Sequence, residues 1–194
     1  MYRHHAQTLG RIRMVRGSFS FTMTRPNDVR LEPMPGAGSL WDLGCYPVSY
    51  IRLVMGEEPK EAFGWQDPDP GTPWLGKSGG DPRCPRGAIA QFDCSFRAPL
   101  RAELEIVGSE ATLRVPEPFK PGLTSVLELR REGKPPETIE VAGGPVYAGE
   151  VENMADVIHG GRPQRVTLAD SRGNCAALVA LLESARTGRV VGIG

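Results

Sequence analysis

Gly87-Ala-Ile-Ala-Gln-Phe-Asp-Cys-Ser-Phe-Arg-Ala-Pro-Leu-Arg-Ala-Glu-Leu-Glu-Ile106 alternates apolar and polar side chains twice over. Ala88, Ala90, Phe92, Cys94 and Phe96 share one face of the first run, and Leu100, Ala102, Leu104 and Ile106 share one face of the second. A period of two is the mark of a strand with one buried face, and two such runs in succession predict a hairpin. The alternate residues Gln91, Arg101, Glu103 and Glu105 predict a polar outer face rather than a second core.

The pattern extends in both directions. Downstream, Gly108-Ser109 turns the chain into a strand over residues 112–115, and residues 125–130 and 137–141 make a second hairpin across Arg131-Glu-Gly-Lys-Pro-Pro136. Upstream, Ile12 and Met14, then Phe19, Phe21 and Met23, alternate with arginine, serine and threonine, with Gly17 read as a phase slip. Residues 60–66 make a short strand. Residues 67–86 are rich in proline and glycine and poor in apolar side chains, which predicts an irregular, exposed loop.

Three segments carry helical spacing. Leu43, Tyr46, Tyr50, Ile51 and Val54 recur until Gly56 supplies a stop, and Pro47 is expected in the first turn, where its missing N–H costs nothing. Val151, Met154, Ala155 and Ile158 form a stripe that ends at Gly160-Gly161. The third helix runs from Asp170, read as its N-cap, to Arg186, with Cys175, Leu178, Val179, Leu182 and Ala185 inward and Gly188 as the stop. Strands joined by turns and helices with one apolar stripe predict a single α+β domain over residues 1–194, built on an open, predominantly antiparallel sheet with helices packed on one face.

A chain of 194 residues can bury one substantial core, and 23 basic against 23 acidic residues leave no general electrostatic reason to expect nucleic acid. No apolar run approaches the ~18 residues of a membrane span, and Met1-Tyr-Arg-His-His5 has no signal-peptide core, so a cytoplasmic protein without membrane contact is expected. The four cysteines, Cys45, Cys84, Cys94 and Cys175, show no metal-ligand spacing, and the histidines are too few for a catalytic metal. No GxGxxG turn follows a strand, so no Rossmann domain and no nucleotide-binding fingerprint are expected in this chain.

Gly36-Ala-Gly-Ser-Leu-Trp-Asp-Leu-Gly-Cys-Tyr46 is the stretch with chemical content. Its small residues let the backbone approach another group closely, and Asp42 and Tyr46 stand four apart. On a helix that spacing puts a carboxylate and a phenol on one face, able to move the proton of a carbonyl–alcohol interconversion. The same spacing also fits Asp42 as a helix cap and Tyr46 as a half-buried aromatic. Arg3, His4 and His5 could meet an anionic or hydroxylated ligand or lie in solvent. Tyr147, before a helix start, could project into a cleft or staple that helix to the sheet.

Several motifs together resemble the NAD(P)-dependent oxidoreductases of the Gfo/Idh/MocA family, and the resemblance is to their C-terminal domain. Met1-Tyr-Arg-His-His5 is similar to the segment after that family's dinucleotide-binding domain. Gly38-Ser-Leu-Trp-Asp-Leu-Gly-Cys-Tyr46 resembles its GGxLxDxGxY signature, followed by Gly56-Glu-Glu-Pro59. Gly108-Ser109 with Thr112-Leu113, then Asp170-Ser-Arg-Gly-Asn174 and Glu183-Ser-Ala-Arg186, match in order.

The resemblance implies hydride transfer between NAD or NADP and a sugar, cyclitol or related polyol. It implies Tyr46 as the proton donor, Asp42 as its carboxylate partner, and Arg3, His4, Arg30 and Tyr147 on the substrate side. It also implies a homo-oligomer through the open sheet face. The family's Rossmann domain and its Glu-Lys-Pro motif, with the catalytic lysine, have no counterpart here. The expectation is therefore a truncated chain, inactive alone and binding no cofactor by itself; the competing expectation is a binding or scaffold module that pairs through its sheet.

Overall fold

A computed structural model describes residues 8–32, 34–69, 72–83 and 87–194, with the backbone alone for residues 68, 69, 72–81 and 83. Among the described residues nine strands form a single sheet: β1 (Ile12–Ser20), β2 (Glu61–Asp69), β3 (Thr72–Arg83), β4 (Ile89–Ser95), β5 (Arg101–Gly108), β6 (Thr112–Pro116), β7 (Thr124–Arg130), β8 (Glu137–Ala142) and β9 (Val191–Gly192). The helices packed with it or following it among the described residues include α1 (Cys45–Met55), α2 (Ala148–Gly160) and α3 (Leu168–Thr187). The spatial order is β8-β7-β6-β5-β1-β4-β3-β2-β9.

That order corrects the expected open antiparallel sheet: β1 pairs with β4 in parallel, and the sheet is mixed. The reason lies in the connection. From β1 the chain crosses the sheet through α1 to reach β2, and a helical crossover returns the next strand in the same direction as the first. The β2-β3-β4 meander then reverses twice, so β4 arrives beside β1 running the same way.

The same insertion overturns the expected hairpin of residues 87–106, because β1 lies between β4 and β5. The connection between those two strands arches over the end of β1 and is tied to it. Phe21 N donates to Ser95 O at 3.1 Å and Met23 N to Phe96 O at 2.8 Å. The hydroxyls of Ser20 and Thr22 donate to the carbonyls of Pro99 and Ala98, at 2.8 and 3.1 Å.

Residues 67–69 and 72–83 belong to β2 and β3, which correct the expected irregular loop over 67–86. Prolines and glycines obscure the alternation there, but β3 has a partner on each side, and ladder pairing gives strand structure where side-chain pattern does not. Gly17 is no phase slip either. The β1 register with β4 runs through it unbroken, and an added Cβ would stand 2.8 Å from Cβ of Pro47, so this glycine lets α1 lie close on the sheet. Gly17 pairs with Phe92, Phe92 with Gly80, and Gly80 with Gly64, one row across the helix-covered face.

The core lies between that face and α1 and α3, with Val15, Phe19, Leu43, Val48, Ile51, Phe92, Leu104, Leu178 and Leu181 buried in it. α3 begins at Leu168, and its N-cap is Thr167, whose hydroxyl accepts from Asp170 N at 3.1 Å, rather than Asp170 itself. Its buried stripe is Ala177, Leu178, Ala180, Leu181 and Ser184, while Cys175 and Val179 face outward. α2 buries no residue, and its predicted stripe of Val151, Met154 and Ile158 is exposed.

Arg52 ties the C-terminal half of α1 to the chain beyond it. Its Nε and Nη2 donate to the two oxygens of Glu58 at 2.7 and 2.6 Å, and this pairing draws the Glu58 carboxyl below its usual range. A lowered folded-state pKa adds stability that is complete above the unfolded value and is lost as pH falls through the folded one. The melting temperature should therefore hold between neutrality and about pH 5 and drop below about pH 4, and Glu58→Gln should flatten that acid limb. An unchanged limb in Glu58→Gln would show that other carboxylates govern it.

Candidate active site

The helix that carries Asp42 and Tyr46 starts earlier and more loosely than its spacing predicts. Residues Leu40–Gly44 form a π-helical segment that runs directly into α1. Pro47 thus lies inside a continuous helical run rather than in its first turn. A proline cannot donate to the carbonyl four residues back, and a widened turn is one way a helix accommodates it. The wide turn also bears on the Asp42–Tyr46 pair: no hydrogen bond joins the two side chains among the described residues, and Asp42 is paired elsewhere.

Arg30 is the partner of Asp42. Its Nη1 stands 3.3 Å from Asp42 Oδ2, while its Nε and Nη2 grip both oxygens of Asp28 at 2.7 and 2.8 Å. Asp28 also caps a 3-10 turn, Val29–Leu31, by accepting from Arg30 N at 3.1 Å. The guanidinium holds the Asp28 carboxyl far below the ordinary range, and the two carboxylates raise Arg30 in turn. Arg30 lies 5.9 Å from the centroid of the Phe21 ring. A shallow concavity of about 770 Å³ opens beside Asp28, Arg30 and Asp42. Arg25 lines the same concavity, so two carboxylates stand against two guanidinium groups, and the corner offers carboxylate oxygens that accept hydrogen bonds from hydroxyl groups.

Tyr46 rests on an aromatic bed. Its ring meets Phe19 edge-on at 5.4 Å and lies 5.7 Å from Phe119. Phe19 and Phe119 stack at 4.6 Å, and Tyr50 completes the group with its hydroxyl on the Pro118 carbonyl at 2.8 Å. The Tyr46 residue is 41% exposed and its hydroxyl makes no hydrogen bond among the described residues. Burial, then the neighbouring Cys45 and Asp42, and after them Tyr147 and Glu150 at the start of α2, push its pKa up. At neutral pH Tyr46 is a protonated phenol, held by its ring and open at its oxygen.

Tyr147 stands at the N-cap position of α2, 65% exposed, on the Tyr46 side of the molecule. Arg3 and His4 lie outside the described residues. Two contributors escaped the sequence reading. Asp28 could have been found as the cap of a short turn two residues before Arg30. Phe119 has no periodic signal; it reaches the site because Glu117 adopts a left-handed backbone, φ 51°, and folds the segment after β6 back over the sheet.

The glycine-bearing loop at residues 36–38 leads into a helix whose opening is covered, with Ser39 and Leu40 buried, so its N–H groups do not face a phosphate. No group of three or more potential metal ligands occurs among the described residues, and no described helix is long and apolar enough to cross a membrane. Burial beside Asp42 pushes the Cys45 thiol up to about 11. Iodoacetamide at pH 8 should therefore label exposed Cys175 well before Cys45, as read by peptide mass spectrometry; equal labelling would contradict that environment.

Residues 4–114 match the model of the GFO/IDH/MocA C-terminal domain, more than half of the chain, and the chain belongs to that family. Among its relatives is an uncharacterized oxidoreductase, ORF334, of Rhizobium meliloti, 27% identical over 186 residues that cover 93% of this chain and 56% of the relative. Another is D-xylose 1-dehydrogenase (NADP(+)) 2 of Haloferax volcanii, 28% identical, with 98% of this chain and 62% of the relative covered. The crystal structure of aldose-aldose oxidoreductase from Caulobacter crescentus, complexed with glycerol, has the same fold, with a TM-score of 0.86 at 24% identity over 98% of this chain and 57% of that one. KijD10, a 3-ketoreductase from Actinomadura kijaniata in complex with NADP and TDP-benzene, gives 0.84 at 19% identity over 94% and 60%. The chain thus spans less than two thirds of the length of each.

Proposed function

We propose that this chain is the substrate-binding domain of an NAD(P)-dependent oxidoreductase that interconverts a hydroxyl and a carbonyl on a neutral sugar, cyclitol or related polyol. The observation that carries the reading is Tyr46: a protonated phenol with an open oxygen, seated on Phe19 and Phe119 beside the carboxylate of Asp42. Its Oη gives a proton to the substrate oxygen in reduction and accepts one in oxidation. Arg30 holds Asp42 in place, and the carboxylates of Asp28 and Asp42 offer acceptors to the hydroxyls of a polyol substrate. Tyr147, and Arg3 and His4 from the chain start, meet the remaining substrate hydroxyls.

In this reading the cofactor is held by a part that corresponds to the relatives' length outside the match, and the 194-residue chain is inactive alone. The outer sheet face, with exposed Phe63, Trp65 and Ile89 beside the pairs Arg101–Asp93 and Arg16–Glu105, seats a second copy. The test is a chimera that joins this chain to the portion of the Haloferax relative outside the match, assayed for NADP reduction with neutral and phosphorylated aldoses. Turnover confined to neutral sugars supports the reading. Turnover only with phosphorylated sugars, or micromolar NADPH binding by the 194-residue chain, overturns it.

A further inference from the structure

Arg52 is a cation held inside the protein, its side chain 4% exposed. Besides Glu58 it meets two residues of the Asp170-Ser-Arg-Gly-Asn174 segment at the start of α3. Its Nη2 stands 3.1 Å from Asp170 Oδ1, and its Nη1 donates to Asn174 Oδ1 at 3.5 Å. Between them Gly173 leaves the space the guanidinium needs, since an added Cβ would lie 2.5 Å from Nη2. Arg52 thereby orients the Asn174 amide: with the oxygen turned to the cation, Nδ2 faces α1 and donates to the carbonyl of Cys45 at 3.2 Å.

That carbonyl belongs to the peptide unit whose nitrogen is that of Tyr46. It lies where the π-helical segment gives way to α1, two residues before Pro47, which has no N–H to tie this turn to the preceding one. A helix joint with a widened turn on one side and a proline on the other has a soft orientation unless something outside the helix holds it. We propose that Arg52 and Asn174 are positioning residues for Tyr46, acting as a clamp from α3 that sets the peptide plane from which the phenol projects. The inference rests on the proton-donor reading of Tyr46 for its functional meaning. The clamp explains what Asn174 does on a helix whose cap is Thr167 and whose buried stripe begins at Ala177.

The test uses the 194-residue chain with tyrosine labelled at Cζ, and NMR titration of Tyr46 with Tyr50 as the internal reference. Asn174→Leu keeps the side-chain volume and removes both hydrogen bonds. It leaves in place every charged or titratable group that acts on Tyr46 from its own helix and from α2: Cys45, Asp42, Tyr147 and Glu150. A shift then reports position rather than added charge. The expected result is a measurable fall of the Tyr46 pKa toward the ordinary tyrosine value as the ring gains solvent, with Tyr50 unmoved on the Pro118 carbonyl.

Leu129→Ala, a cavity in β7 away from the clamp, supplies a destabilised control in which Tyr46 should not move. An unmoved Tyr46 in folded Asn174→Leu, or an equal shift in Leu129→Ala, overturns the proposal. If Asn174→Leu does not fold, Arg52→Lys keeps the charge between Glu58 and Asp170 but loses the arm to Asn174. It should shift Tyr46 in the same direction, and no shift overturns the proposal equally. The titration reads position whether or not the phenol donates protons. The proton-donor reading fails separately, on retained turnover in Tyr46→Phe.

Discussion

Turnover of the chimeric enzyme should fall about 10²- to 10⁴-fold when Tyr46 is replaced by Phe, the range that loss of a positioned general acid produces. The ring contacts with Phe19 and Phe119 do not involve the hydroxyl, and that hydroxyl has no hydrogen-bond partner among the described residues. Stability should therefore stay within about 0.5 kcal/mol of the parent. A proton transfer made only in the transition state is lost from kcat and from kcat/KM alike, so KM should change little. The pH profile should also lose the limb that Tyr46 sets on the alkaline side, where its raised pKa places it. Retained turnover with an unchanged profile would remove Tyr46 from the mechanism and leave it as an aromatic of the core edge.

A large effect on folding is expected at Gly64, in β2 under α3. An added Cβ there would stand 2.3 Å from the carbonyl oxygen of Leu181 and 3.0 Å from its carbon, both backbone atoms of a helix that cannot rearrange locally. Gly64 N also donates to Ser184 Oγ at 2.9 Å, and that hydroxyl in turn donates to the Arg189 carbonyl. Gly64→Ala must lift α3 from the sheet and break this chain of bonds. A loss of about 3 kcal/mol or more is expected from overpacking and the lost hydrogen bond together. Gly149→Ala, in the first turn of α2 with nothing within 4 Å of the added Cβ, is the matched control and should be neutral or slightly stabilising. Chemical denaturation of both variants measures the difference; equal midpoints would mean that α3 does not sit as closely on β2 as described.

Much of the fold was legible because burial on one face leaves a period. The strands around residues 89–95, 101–108, 124–130 and 137–142 lie where alternation placed them, and α1 and α3 end at the glycines read as stops. Alternation records which side of a strand is buried; it carries no record of which strand lies beside it. The runs around Phe92 and Leu104 therefore read as neighbours, although β1, more than sixty residues earlier in the chain, stands between them because the helical crossover through α1 lets β4 return beside it. Gly17 misled for a related reason. A missing side chain looks like a break in the pattern, whereas here it is the place where Pro47 of α1 presses on the sheet.

The candidate site divides in the same way. By itself the sequence determined the chemical types and their order along the chain: a loop of small residues, a carboxylate and a phenol four apart, and motifs whose succession marks the family. It did so because local spacing and residue type are properties of the chain before it folds. Only the tertiary structure decided partners. Asp42 goes to Arg30 rather than to Tyr46, the phenol lies on Phe19 and Phe119 from two distant strands' ends, and Asn174 reaches across from α3 to the peptide bond before Tyr46. These choices follow from packing α1 and α3 against one mixed sheet, where contacts between residues far apart in sequence are set by close approach of backbones and not by any period along the chain.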